Sequence, residues 1–171
     1  MKNFPARALI IQQRINELTG ENHESVLYGL QGFIEKSQKI AAWMTEAGLE
    51  TSIDNIGNIR GNLKSNNPEA KTFLIGSHFD KGIYSDKTDG ILGILIGIDI
   101  IENIKKSQQQ LPFNIELIAF VEEEGAKFNY NYLGSKAVAG NFENKLLRLQ
   151  DENGNSLSDV LLSLKLDPGK I

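Results

Sequence analysis

Two short apolar runs, "KTFLIGS" from Lys71 and "NIELIAFV" from Asn114, lie either side of a third, "GILGILIGIDIIENIKK", from Gly90 to Lys106. The first and last have the length of strands, and the middle one is long enough for a helix closed by two cations at its negative end. Strand, helix, strand forms a βαβ unit, so the two strands should run parallel with a right-handed crossover between them. "KTFLIGS" carries no alternation, as expected of a strand in a sheet covered on both faces. Gly93 and Gly97 fall one helical turn apart, and close packing of the helix on the sheet explains them better than a motif for partner helices.

Two helices are expected before this unit. Phe4, Ala8, Ile11, Ile15 and Leu18 recur at three- and four-residue spacing up to "TG". A longer pattern, roughly His23 to Ala47, puts Leu27, Leu30, Ile34, Ile40, Trp43 and Met44 toward the core and stops at "AGL". "LETSIDNIGNIRGNL" then alternates like two short strands about a tight "NIGN" turn, and "SNNPEAK" has loop composition. After the last strand, "EEEGAKFNYNYLGSKAVAG" leads into another helix. The end of the chain is more polar, with a turn at "DENGNS" and a short helix after it. A length of 171 residues suits one ordinary domain.

Composition removes several classes of function. The net charge of −4 comes with no basic stripe, so nucleic acid is not an expected partner. The longest apolar stretch, Ile91 to Ile101, is broken by Asp99 and falls short of the about 20 residues that span a bilayer. No signal peptide is legible at the N-terminus, so no membrane association and a cytoplasmic location are expected. With no cysteine there is no disulfide, thiol nucleophile or thiolate metal site.

The chemistry gathers in "GSHFDKGIYSDKTDG", after the first strand, and "EEEG", after the second. In an open parallel sheet ligands bind beyond the carboxyl ends of the strands, so both clusters should share one sheet edge. His78, Asp80, Asp86, Asp89 and Glu122 to Glu124 would repel one another there unless solvated or neutralised by cations. Divalent ions would do this, and His, Asp and Glu are a ligand set suited to zinc and its neighbours. Each residue also has an ordinary reading. Asp89 before a helix is a natural N-cap, "EEE" is a natural solvated helix start, and a lone histidine is more often a surface or packing residue. His23, at a helix start, has no such neighbours and is expected to be structural or exposed.

Three segments, "IGSHFD", "TDGILGILIGIDII" and "IELIAFVEEEGAKFNYNYLGSKAVAG", resemble the dinuclear metallopeptidase-like amidohydrolases. The branch they resemble holds allantoate amidohydrolases and N-carbamoyl-L-amino acid hydrolases, and "WMTEAGLETSIDNIGNIRG" is similar to it as well. The likeness covers most of residues 1–142. Asp89 stands eleven residues beyond His78, and Glu124 thirty-five beyond Asp89, a family-like spacing. The resemblance implies an α/β fold, a three-layer sandwich with a mostly parallel sheet of zinc-exopeptidase type, incomplete at its C-terminal side. It implies two divalent ions, zinc or manganese, with His78 on one, Glu124 on the other and Asp89 bridging. Asp80 would orient His78, Glu123 would be the general base, and Glu122 is left to solvent. Two departures stand in the loop: Lys81 where the family has threonine or serine, and "SDKTDG" where it has a glycine pair before the bridging aspartate.

Family members are much longer, so the resemblance also implies that residues 1–171 are the N-terminal part of one catalytic domain, with 151–171 a polar tail. Only two protein ligands then face each ion, against the three usual for catalytic zinc. The expected reaction of the complete enzyme is hydrolysis of a carbamoyl, ureido or related amide C–N bond by a metal-bound hydroxide. A small carbamoyl or ureido amino acid is its substrate, and this chain alone is expected to have little activity. A non-catalytic binding module and a dipeptidase or aminoacylase relative are the alternatives. An incomplete sheet should expose apolar surface, which predicts a homo-oligomer.

Overall fold

The computed structural model describes residues 4–19, 27–80, 86 and 88–171. In chain order the elements are α1 (Phe4–Thr19), α2 (Gln31–Glu46), β1 (Glu50–Ile53), β2 (Ile59–Leu63), β3 (Thr72–His78), α3 (Ile91–Lys106), β4 (Asn114–Phe120), α4 (Leu133–Val138) and α5 (Leu157–Ser163). Short 3₁₀ turns occupy Asn144–Arg148 and Pro168–Lys170. Among the described residues no helix is long and apolar enough to cross a membrane.

The βαβ unit is present as expected: β3 and β4 pair in parallel from Thr72↔Asn114 to His78↔Phe120, with α3 between them in sequence. The sheet order is β1-β2-β4-β3. The α/β class holds, but the sheet is mixed rather than mostly parallel within these four strands. The "NIGN" turn closes an antiparallel β1–β2 hairpin, which then docks through β2 antiparallel to β4. Helices α2 and α3 cover one face of this sheet. Met44 of α2 lies beside Gly61, and Gly97 of α3 stands against Leu117, the residue paired with Gly61. Gly93 stands against Ser77, so both glycines serve helix-on-sheet packing. The opposite face carries the Arg60–Glu116 ion pair. Ile40, Met44, Leu95, Ile98 and Leu117 are fully buried between helices and sheet, each stabilising the fold by about 1.5–3 kcal/mol. Outside them α1 is fastened to α3 by the ion pairs Arg7–Asp99 and Arg14–Glu102, and Arg14 also lies over the Trp43 ring of α2.

Two expectations fail for identifiable reasons. The second helix begins at Gln31, after a turn at Leu27–Leu30, and residues 20–26, His23 included, lie outside the described residues. Gly29, at φ +81°, breaks the pattern, and any side chain there would collide with Val160. The buried face of α2 is consequently Phe33, Ser37, Ile40 and Met44, while Leu30 is exposed. Strand β3 is not covered on both faces. Among the described residues it is an edge strand with β4 as its one partner, and Phe73 and Leu74 are 59% and 47% exposed.

Candidate functional site

Because His78 pairs with Phe120, the ends of β3 and β4 deliver both polar clusters to one sheet edge. Phe79 turns inward between them and stacks on Phe33, with ring centroids 5.3 Å apart. Its burial fixes the two residues beside it, His78 and Asp80. The chain returns to this edge at the start of α3, where Gly90 is essential. Its φ is +69°, and a Cβ would collide with the His78 carbonyl and lie 2.6 Å from the His78 ring. The Ser77 hydroxyl donates to the Gly90 carbonyl at 2.8 Å and locks the approach. Asp89, the residue before, is thereby carried beside the histidine. It is not the N-cap of α3, which is Gly90. Asp86 has a turn role, accepting from the backbone N–H and hydroxyl of Thr88. Lys81 and Lys87 lie outside the described residues.

One ligand atom from each of His78, Asp89 and Glu124 falls within 4.8 Å of the others. The two ring nitrogens of His78 face opposite ways. Nδ1 is 3.2 Å from the Asp80 carbonyl and 3.6 Å from Asp80 Oδ1, while Nε2 is 3.9 Å from Glu124 Oε1. Asp80 is buried, and its Oδ2 accepts the Glu124 backbone N–H at 2.9 Å. Its Oδ1 is the one buried side-chain oxygen among the described residues with no hydrogen-bond partner. A shift of a few tenths of an ångström would let Nδ1–H donate to it. The Asp80 carboxylate drives the His78 pKa up to about 9, against the lowering effect of burial. One nitrogen, two carboxylates and an aspartate behind the ring are a donor set that fits a divalent ion.

The three consecutive glutamates have three environments. Glu124 is exposed and faces His78. Glu123 is 8% exposed, and its carboxylate accepts from the Ser135 backbone N–H and hydroxyl, each at 2.7 Å. Burial raises the Glu123 pKa, opposed by the Ser135 bonds and by His78, with Asp80 adding to the rise. Such a shift moves a carboxylate toward the range of a general base. Glu122, expected at the solvent, is 1% exposed. Its φ of +50° turns the side chain inward, where Oε1 accepts the backbone N–H of Lys127 at 2.7 Å and of Phe128 at 3.0 Å. Glu122 therefore ties down the loop after the site. Glu122→Ala should destabilise the chain by about 1–3 kcal/mol by leaving buried N–H groups unpaired. Glu122→Gln keeps the acceptor and sheds a buried charge, so it should cost less. Chemical denaturation of the two variants checks this, and a glutamine variant weaker than the alanine one would contradict it.

Sequence reasoning missed Ser135 and Asn58. Asn58 is fully buried, donating to the Gly134 carbonyl and Asp54 and accepting the Val121 N–H. Nothing in "NIGN" beyond a turn signal marks it, and Ser135 carries no local signal at all.

No family model matches the chain. It is 35% identical over 132 residues to the N-carbamoyl-L-amino acid amidohydrolase of Geobacillus stearothermophilus, covering 77% of this chain and 32% of that protein. It is 41% identical over 130 residues to a probable allantoate deiminase of Oryza sativa subsp. japonica, covering 75% of this chain and 26% of that protein. A hydantoinase/carbamoylase family amidase from Burkholderia ambifaria superposes with a TM-score of 0.84 at 22% identity, over 98% of this chain and 41% of that one. The chain thus spans about a third or less of the length of these curated relatives. The resemblance read from the motifs is borne out: the chain is a relative of these amidohydrolases, and its fold is that of the matching part of the amidase.

Proposed function

We propose that these residues form part of the active site of a metal-dependent amidohydrolase that cleaves a carbamoyl or ureido C–N bond. The substrates in view are N-carbamoyl amino acids and allantoate. The observation that carries the reading is the division of the His78 ring, with Nδ1 against Asp80 and Nε2 toward Glu124 near Asp89. The names of the curated relatives supply the reaction class.

In this reading His78 and Glu124 would each serve as ligand to a divalent ion, zinc or manganese, and Asp89 would serve as ligand to both. Such ions would supply Lewis acidity that lowers the pKa of a bound water. Asp80 keeps Nδ1 protonated, so Nε2 presents its lone pair. Glu123 accepts a proton from the attacking water and returns it to the departing nitrogen. The test is hydrolysis of N-carbamoyl amino acids and of allantoate by the whole protein supplied with manganese or zinc. Failure to release product from either, with metal bound, would sink the proposal.

A cytoplasmic homo-oligomer goes with this reading. The apolar edge at Phe73 and Leu74 and the outer face of α3 at Leu92, Ile96 and Ile100 are exposed in the single chain, and surface of this kind favours association. Light scattering should give a mass above that of one chain, and a strict monomer across the micromolar range would contradict it.

A further inference from the structure

The turn that leaves β4 and the start of α4 are joined by a ladder of backbone bonds. Gly134 N–H donates to Val121 O at 3.0 Å, Leu133 N–H to Glu122 O at 3.2 Å, and Tyr132 N–H to Glu123 O at 3.1 Å. Ser135 is the next step, but its N–H donates to the Glu123 side chain rather than to backbone, and its hydroxyl takes the other carboxylate oxygen. Both oxygens are thus held from one residue, which fixes the plane of the carboxylate and leaves each oxygen a further lone pair.

What holds Ser135 is Asn58. Its Oδ1 accepts Val121 N–H at 3.1 Å, and its Nδ2 donates to Gly134 O at 3.0 Å and to Asp54 Oδ2 at 3.0 Å. The same amide therefore binds the residue just before the glutamate triplet and the residue just before Ser135. Gly134 must be glycine, since a Cβ would collide with Asn58 Oδ1 and lie 2.6 Å from Val121 O. Asn58 is in turn fixed by Asp54, whose Oδ1 accepts the Asn58 backbone N–H at 2.9 Å. The hairpin turn between β1 and β2 thus reaches the proton-transfer residue in two steps.

We infer that Ser135 is the positioning residue for the Glu123 carboxylate, and that Asn58 sets the place of Ser135. This rests on the reading of Glu123 as the proton-transfer group. The first test needs no turnover. In the chain with ¹⁵N-labelled serine, the Ser135 amide proton should resonate downfield through its charge-assisted bond and move upfield in Glu123→Gln. An amide signal that Glu123→Gln leaves in place overturns the inference whatever the activity. The second test is kinetic and uses the whole protein. Ser135→Ala should lower kcat by about 10–100-fold through misplacement of the base, with KM and bound metal unchanged, while Ser135→Thr, which keeps both donors, should track the wild type. A Ser135→Ala variant at wild-type kcat beside an inactive Glu123→Gln overturns the inference and leaves the proposed function standing. A fully active Glu123→Gln overturns the reading of Glu123 as the proton-transfer group instead, and the amide signal still decides whether Ser135 holds Glu123.

Discussion

Glu123→Gln should lower kcat of the whole protein by about 10²–10⁴-fold, the usual contribution of a positioned acid–base group, with little change in KM. Glutamine makes this a test of chemistry because the local structure can keep its bonds. Oε1 still accepts the Ser135 N–H, and the Ser135 hydroxyl, now an acceptor, takes a hydrogen from Nε2. Burial opposes the Glu123 charge, so removing it does not weaken the fold. The neighbours provide internal controls. Glu122→Gln changes a side chain that caps the loop backbone at Lys127 and Phe128 and should leave kcat near that of the wild type. Equal activity of wild type and Glu123→Gln, with metal bound to both, would remove Glu123 from the reaction.

The contrast among three adjacent glutamates marks the limit of what the sequence makes legible. Which of them faces His78, Ser135 or the loop backbone depends on one dihedral, the positive φ of Glu122. Composition carries no trace of it. The βαβ unit was legible because burial by α3 imposes an apolar pattern that survives in any context, and the hairpin because Gly57 supplies the turn. Strand β3 was read as covered on both faces because an apolar run records what a strand is suited to pack against. Here β4 is its single neighbour among the described residues. The α2 boundary failed at Gly29, where a left-handed residue packed against Val160 interrupts an otherwise continuous helical pattern. His78, Asp89 and Glu124 were legible as a group because strand ends in a parallel pair share an edge. The Asn58–Ser135 support was not, because it joins residues 63 and 76 positions apart through side-chain amide geometry.

Metal binding gives the second large effect, and it can be read on this chain without catalysis. A ligand that binds only the folded state at about 100 times its Kd stabilises by about 2.7 kcal/mol. At about 2–4 °C per kcal/mol for a chain of this size, zinc or manganese should raise Tm by about 5–11 °C. Asp89 and Glu124 are exposed, so Asp89→Asn and Glu124→Gln should change the metal-free Tm little, since surface substitutions usually stay within about 0.5 kcal/mol. Each should nonetheless abolish most of the metal-induced rise, as should His78→Ala. Asp80→Asn tests the support behind the ring, and loss of such a partner typically weakens metal affinity by about 10–100-fold. Its amide would also set an N–H or a weaker acceptor where Oδ2 takes the Glu124 N–H, so its metal-free Tm should fall as well. The exposed carboxylates should therefore separate binding from folding, while Asp80 should couple them. An equal metal-induced rise in the wild type and in Asp89→Asn would show that the ion sits elsewhere and would leave the three-residue cluster without a metal.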